Sequence, residues 1–293
     1  MTDILAEDIK NNNKALQFEL EVKNILELFQ EKESETNWRN FERALIQLIE
    51  ITREGVSHYE TEYISGIKSL KQPIQNSILT ERTKLSGTAT ELVEEISKSL
   101  GPNFDSLAEL FVPNILKLCN RTNKLFGTRA YKCSETIIKI SKLSSLIPKF
   151  REAMQSQSKL LKTNVAKLTL TILEEDVTGL ENHIVDLEWI IHLGVIDSTL
   201  EVRTASKKSF EVYKSRFSSR VDEFVASLPF TAKKNLGIIN KAQPTKFSRQ
   251  PIRRNLQNRK DNGHDDDIVI FTNNEKKQQN DDDSFSTDIS LPL

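Results

Sequence analysis

The chain has 293 residues, 37% of them hydrophobic and 28% charged, with a formal net charge of −1. That is enough apolar material for one sizeable core with a tail left over, and the balanced charge excludes a chain-wide attraction to nucleic acid or to a membrane surface. Nine Gly and eight Pro are too few to punctuate a sandwich or barrel of many short strands.

Residues 1–14 are mixed and acidic, without the apolar centre of a signal peptide, and are expected to form a flexible lead-in. From residue 15 onward, apolar residues recur at i, i+3/i+4, i+7, the period of an amphipathic helix rather than of a strand. Helices are predicted over 15–31 and 37–54, the latter carrying the stripe Phe41, Leu45, Leu48 and Thr52. The next pair is 58–78 with 81–100, whose stripe is Leu85, Ala89, Leu92, Val93, Ile96 and Leu100. Then come 104–119 with 124–143, 145–156 with 160–175 (Leu161, Val165, Leu168, Ile172), and 180–193 with 199–217 (Phe210, Tyr213, Phe217). Shorter helices over 220–236 close the series. Thr36, Thr80, Thr122, Ser158 and Ser198 stand just before helical runs, where N-capping hydroxyls belong, and Glu201 completes a capping box with Ser198. Their intervals of 44, 42, 36 and 40 residues, with two helices per period, are the signature of a HEAT-type α-solenoid of about five to six helix pairs. The expected fold is therefore all-α, with the repeat domain over 15–238 and a tail over 239–293.

No apolar run reaches the roughly 18 residues that span a bilayer, so a soluble intracellular protein without a membrane partner is expected. Cys119 and Cys133 have no Cys or His partners at metal spacing and read as small buried hydrophobes. His183 and His192 lie about half a helical turn out of phase and cannot converge on one metal, while Glu188 and His192 share a face as a solvated or capping pair. There is no phosphate-cradling Gly-rich loop, zinc helix or nucleophile elbow. The expectation is a non-enzymatic binding scaffold with no cofactor, no metal and no nucleic-acid partner.

Three stretches carry a family resemblance. One is Asn37-Trp38-Arg39 leading to Phe41 and Ala44-Leu45. Another is Leu100-Gly101, Asn103-Phe104, then Leu110, Val112-Pro113 and Ile115. The third is Gly194-Val195, Asp197 and Glu201-Val202-Arg203, running on to Phe210, Tyr213 and Phe217. Together they resemble the tubulin-binding TOG domains of microtubule regulators, most closely the CLASP family, over about residues 34–236. The resemblance implies that the turns within repeats form a narrow face gripping αβ-tubulin, with contacts from Trp38, Arg39, Arg82, Lys124, Lys159, Lys162 and Arg203. The chain departs from the family at its second turn, Thr80-Glu81-Arg82, which is less basic, and at its third, which offers only Asn123 and Lys124. For individual residues the competing structural readings are Trp38 packing inward on Phe41, and Asp197 and Arg203 bridging neighbouring repeats. The implied function is a microtubule-associated regulator that stabilises or rescues the polymer, located in the cytoplasm on microtubules and the spindle. The alternative is a HEAT adaptor docking linear or helical segments of another protein.

After about residue 240 the composition changes. Residues 241–260 hold seven basic side chains and no acidic one, and from Asp261 onward nine acidic residues face two lysines. Segregated charge with low hydrophobicity predicts disorder, and the basic run resembles the linkers with which CLASP-type proteins hold the microtubule lattice. Within the acidic half, Ile268-Val269-Ile270-Phe271 resembles a SUMO-interacting segment, which adds a strand to a sheet edge. Ser145-Leu146-Ile147-Pro148 matches a short end-binding motif but falls at a helix start inside the fold, where it is expected to be structural.

Overall fold

The structure, a computed structural model, describes residues 2–239. Among these there is no strand, and the helices fall into five pairs. Helix α1 (Thr2–Leu28) pairs with α2 (Trp38–Arg53), and α3 (Glu60–Ser69) continued by α4 (Lys71–Leu79) pairs with α5 (Thr83–Leu100). The remaining pairs are α6 (Asp105–Leu118) with α7 (Lys124–Ser141), α8 (Ile147–Met154) with α9 (Lys159–Glu174), and α10 (Ile184–Ile196) with α11 (Leu200–Arg216). Helices α2, α5, α7, α9 and α11 pack side by side in that order as one layer, and the first members of the pairs form the other. Two short helices, α12 (Val221–Ser227) and α13 (Phe230–Asn235), follow. Phe224 of α12 packs on Phe210 and Tyr213 of α11, and α13 lies against α10.

Each pair exists because neither helix can hide its stripe alone. In α2, Phe41, Leu45, Leu48 and Ile49 share one face and are all but completely buried, each such side chain stabilising by about 1.5–3 kcal/mol. Two of the polar groups drawn into this part of the core find partners. Thr52 Oγ1 lies 2.5 Å from the hydroxyl of the fully buried Tyr63, and Glu42, also buried on α2, pairs with Lys84 Nζ at 3.1 Å.

A regularity absent from the cap pattern governs the connections between pairs. Each of the four is followed by a short 3-10 turn leading into the next helix: Ser57–Tyr59, Gly101–Phe104, Ser144–Leu146 and Leu180–His183. A residue with positive φ precedes or opens each one, namely Gly55 (94°), Gly101 (53°), Lys142 (52°) and Gly179 (76°). Such a positive-φ step is free of steric cost only at glycine. The turn then plants one buried anchor, Tyr59, Phe104, Leu146 or Leu180 respectively. Ser145-Leu146-Ile147-Pro148 belongs to this architecture: Leu146 and Ile147 are buried, and Ser145 Oγ bonds Asp105 Oδ1 at 2.5 Å.

The structure corrects the sequence reading at several points. The backbone of α1 is helical from Thr2 rather than from 15, so over 2–14 the expected flexible lead-in (1–14) is instead helix; no Gly or Pro interrupts that run. The helix expected over 58–78 breaks at Leu70. Pro73 has no N–H for the carbonyl of Ser69 and its ring would clash there, whereas at the third position of a new helix it is tolerated. Of the five hydroxyls placed as caps, only Ser158 caps, accepting from Leu161 N at 3.3 Å. The third turn is capped by Asn123, not Thr122. The Ser198–Glu201 capping box is not made; Thr199 holds the cap position, and Asp197 Oδ1 accepts its N–H at 2.7 Å. Glu188 does not pair with His192. It accepts from the Tyr213 hydroxyl at 2.5 Å and lies 3.4 Å from Arg220. The basic run 241–260, the acidic stretch beyond it and Ile268–Phe271 lie outside the described residues.

Candidate functional site: an edge of five clipped turns

The five turns joining α1 to α2, α4 to α5, α6 to α7, α8 to α9 and α10 to α11 touch in sequence, which places them along one edge. Arg82 of the second turn reaches Glu33 (2.9 Å) and Glu35 (2.6 Å) of the first. Arg121 of the third pairs with Glu81 of the second and donates to the Leu79 carbonyl at 2.5 Å. The third and fourth meet where the methyl of Leu160 lies 3.5 Å from the position of a Cβ on Gly127, and where Asn164 bonds Cys119 Sγ at 3.2 Å. Lys162 of the fourth closes on Asp197 of the fifth at 2.5 Å.

The first turn is held by reciprocal bonds. Asn37 Oδ1 accepts from Ser34 N (2.7 Å), and Ser34 Oγ accepts from Asn37 N (3.3 Å). This fixes Trp38 as the first residue of α2. Its ring is half-buried against the core, with the Arg39 and Arg82 guanidinium carbons each 5.5 Å from its centroid. Cations over an indole face are attracted by its quadrupole. Trp38 packs in part against the core that contains Phe41, as the competing reading had it, while the Phe41 ring stacks on Phe29 at 4.3 Å.

The cations implied by the resemblance fall into two groups. Arg82 is stacked and doubly paired, and its hydrogen bonds and charge hold the Glu35 carboxyl below its ordinary range. Lys162 is engaged with Asp197, with side-chain exposures of 16% and 10%. Burial opposes the charge on Asp197, but hydrogen bonds from Lys162 and Thr199 outweigh it, so the net shift of its pKa is downward. Asp197 thus does bridge repeats, as one competing reading had it. Arg203 does not; it donates to the Asp197 and Ser198 carbonyls of its own turn, both at 2.7 Å. Lys124 and Lys159, by contrast, are exposed at the first positions of α7 and α9 and have no side-chain partner among the described residues. Arg39 is exposed beside Trp38.

Sequence reasoning missed Glu33, Glu35 and Arg121 as clip residues. It also missed the exposed Leu125 (43%), Leu160 (42%) and Leu200 (64%) at the helix starts. The first two could have been found from the repeated Lys-Leu step at 124–125 and 159–160. Among the described residues no His/Cys/Asp/Glu cluster is arranged to hold a metal, and no helix is long and apolar enough to cross a membrane. Cys119 and Cys133 are buried free thiols.

Comparison with known proteins follows this geometry. Residues 18–237 match the family model described as CLASP N terminal. Protein peg1 of Schizosaccharomyces pombe is 28% identical over 254 residues, covering 82% of this chain and 17% of that protein. Protein STU1 of Mycosarcoma maydis is 24% identical over 225 residues, covering 73% of this chain and again 17% of the relative. The chain thus spans about a sixth of the length of these curated relatives. A solved chain of Crescerin, described as using a TOG domain array to regulate microtubules in the primary cilium, superimposes with a TM-score of 0.51 at 12% identity. The match covers 67% of this chain and 84% of that one, and at that identity the likeness is one of fold. Helix pairs of TOG type, turns clipped along one edge and a family match over residues 18–237, about three-quarters of the chain, lead to one conclusion: the chain belongs to the CLASP N-terminal family.

Proposed function

We propose that this domain binds αβ-tubulin through the edge of intra-repeat turns and acts, without catalysis, as a microtubule-associated regulator that stabilises or rescues the polymer. The observation that carries this reading is the half-buried Trp38 at the mouth of α2, beside the exposed Arg39, on an edge that continues to Lys124 and Lys159. Membership of the CLASP N-terminal family supports it. The corresponding location is the cytoplasmic microtubule array, including the spindle. Outside the described residues, we propose that the basic run 241–260 adds salt-dependent attraction to the acidic lattice and that Ile268–Phe271 serves as a strand-adding segment for a partner such as SUMO. The experiment is co-pelleting of the full chain with microtubules beside size-exclusion binding to free tubulin. Trp38→Ala is expected to lower affinity more than about tenfold per folded molecule, as truncating an interface aromatic worth about 2 kcal/mol does. Unchanged binding by this variant, with only a lowered melting temperature, would sink the assignment of this edge. Deletion of 241–260 is expected to weaken microtubule co-pelleting and flatten its salt dependence.

A further inference from the structure

The edge is not uniform, and its asymmetry says where an acidic partner is met. Arg82 of the second turn is spent on Glu33 and Glu35, and Arg121 of the third on Glu81. Lys162 and Arg203 are spent on Asp197 and on backbone carbonyls. What remains, apart from Arg39 beside Trp38, is a repeated step. Helices α7 and α9 begin Lys124-Leu125 and Lys159-Leu160, each lysine exposed and without a side-chain partner among the described residues, each leucine more than two-fifths exposed. The two steps are neighbours, because Leu160 lies across Gly127, two residues beyond Leu125. Lysine brings charge on a flexible stem, and an exposed leucine beside it gains by leaving water. Two such pairs side by side complement a surface on which carboxylates alternate with apolar contact area.

We propose that Lys124, Leu125, Lys159 and Leu160 form the contact centre of this edge for an acidic protein surface, and that Arg82 contributes little to that contact because Glu33 and Glu35 already neutralise it. The proposal rests on the tubulin reading above and narrows it: the acidic surface is a patch of αβ-tubulin, met by the third and fourth turns.

The test uses the full chain and purified tubulin, at two ionic strengths, with melting temperature recorded for every variant. Lys124→Ala/Lys159→Ala is expected to lower affinity at least about tenfold at low salt and less at high salt, since exposed charges are screened over about 10 Å at 0.1 M. Leu125→Ser/Leu160→Ser is expected to lower it by a similar factor at both salts, because an apolar contact is not screened. Arg82→Gln, measured at a temperature where it remains folded, is expected to stay within about twofold of the parent. If the parent binds tubulin and the two double variants bind equally well, or if Arg82→Gln loses as much as they do, the contact centre is overturned while the tubulin reading stands. If the parent itself does not bind tubulin, both are overturned.

Discussion

Lys142 carries the left-handed step that glycine carries at the other three connections between pairs (φ 52°). Its Cβ crowds the following carbonyl, at a cost of about 1–2 kcal/mol. Lys142→Gly relieves this but enlarges the unfolded ensemble by about 0.5–1 kcal/mol. Its urea midpoint is therefore expected at or slightly above the parent's, and that of Lys142→Ile below it, since β-branching is least compatible with positive φ. A second residue-scale expectation concerns Asp197. Its carboxyl is the stronger acid in the folded chain, so its contribution is complete above the unfolded value near 3.8 and is lost as pH falls through the lower folded value. Asp197→Asn is expected to cost about 1.5–3 kcal/mol near neutral pH, the range for a hydrogen bond to a charged group. Unfolding free energies measured at pH 6, 4 and 3 are expected to fall less steeply for Asp197→Asn than for the parent.

At the scale of elements, helix existence was legible because the apolar stripes are long: Leu85 to Leu100 runs through α5 and every member is buried. Helix ends were less legible. Thr36, Thr80 and Thr122 were chosen as hydroxyls, but a cap is decided by which backbone N–H groups a side chain can reach: at the third turn Asn123 reaches Leu125 N, while at the first the Asn37 side chain turns back to Ser34 N and leaves α2 without a side-chain cap. Ser158→Ala and Asn123→Ala are each expected to cost about 1 kcal/mol, and Thr122→Ala less than about half that, by urea denaturation. The break at Leu70 was readable from Pro73; the long α1 was not, because polar residues over 2–14 masked its helical run. Packing between elements leaves almost no sequence trace. Gly194 sits where α10 crosses α11, and a Cβ there would lie 2.8 Å from Ser206 Cβ. Gly194→Ala is expected to destabilise by about 1–3 kcal/mol through forced separation of the two helices.

For the molecule as a whole, the order of the turns along one edge followed from the repeat, but the division of its cations did not. Which lysines are free depends on acids about 35 to 50 residues away in the chain, as with Lys162 and Asp197 or Arg82 and Glu33, and periodicity carries no information about that pairing. Because each pair of helices contacts mainly its neighbours, the stack holds together through successive interfaces rather than one shared centre. The two thiols sit at such interfaces. Cys133 of α7 faces the Thr90 carbonyl of α5 at 3.6 Å and is fully buried, and Cys119 of the third turn is held by Asn164 of α9. Burial pushes both thiols up from their ordinary pKa, so neither is a nucleophile while its interface is shut. Each therefore acts as a clock for one seam, Cys133 for the second pair against the third and Cys119 for the third against the fourth. With a disulfide reagent in excess, their separate modification rates would time the opening of two adjacent seams in the unmodified chain, and a partner spanning the edge would be expected to slow both.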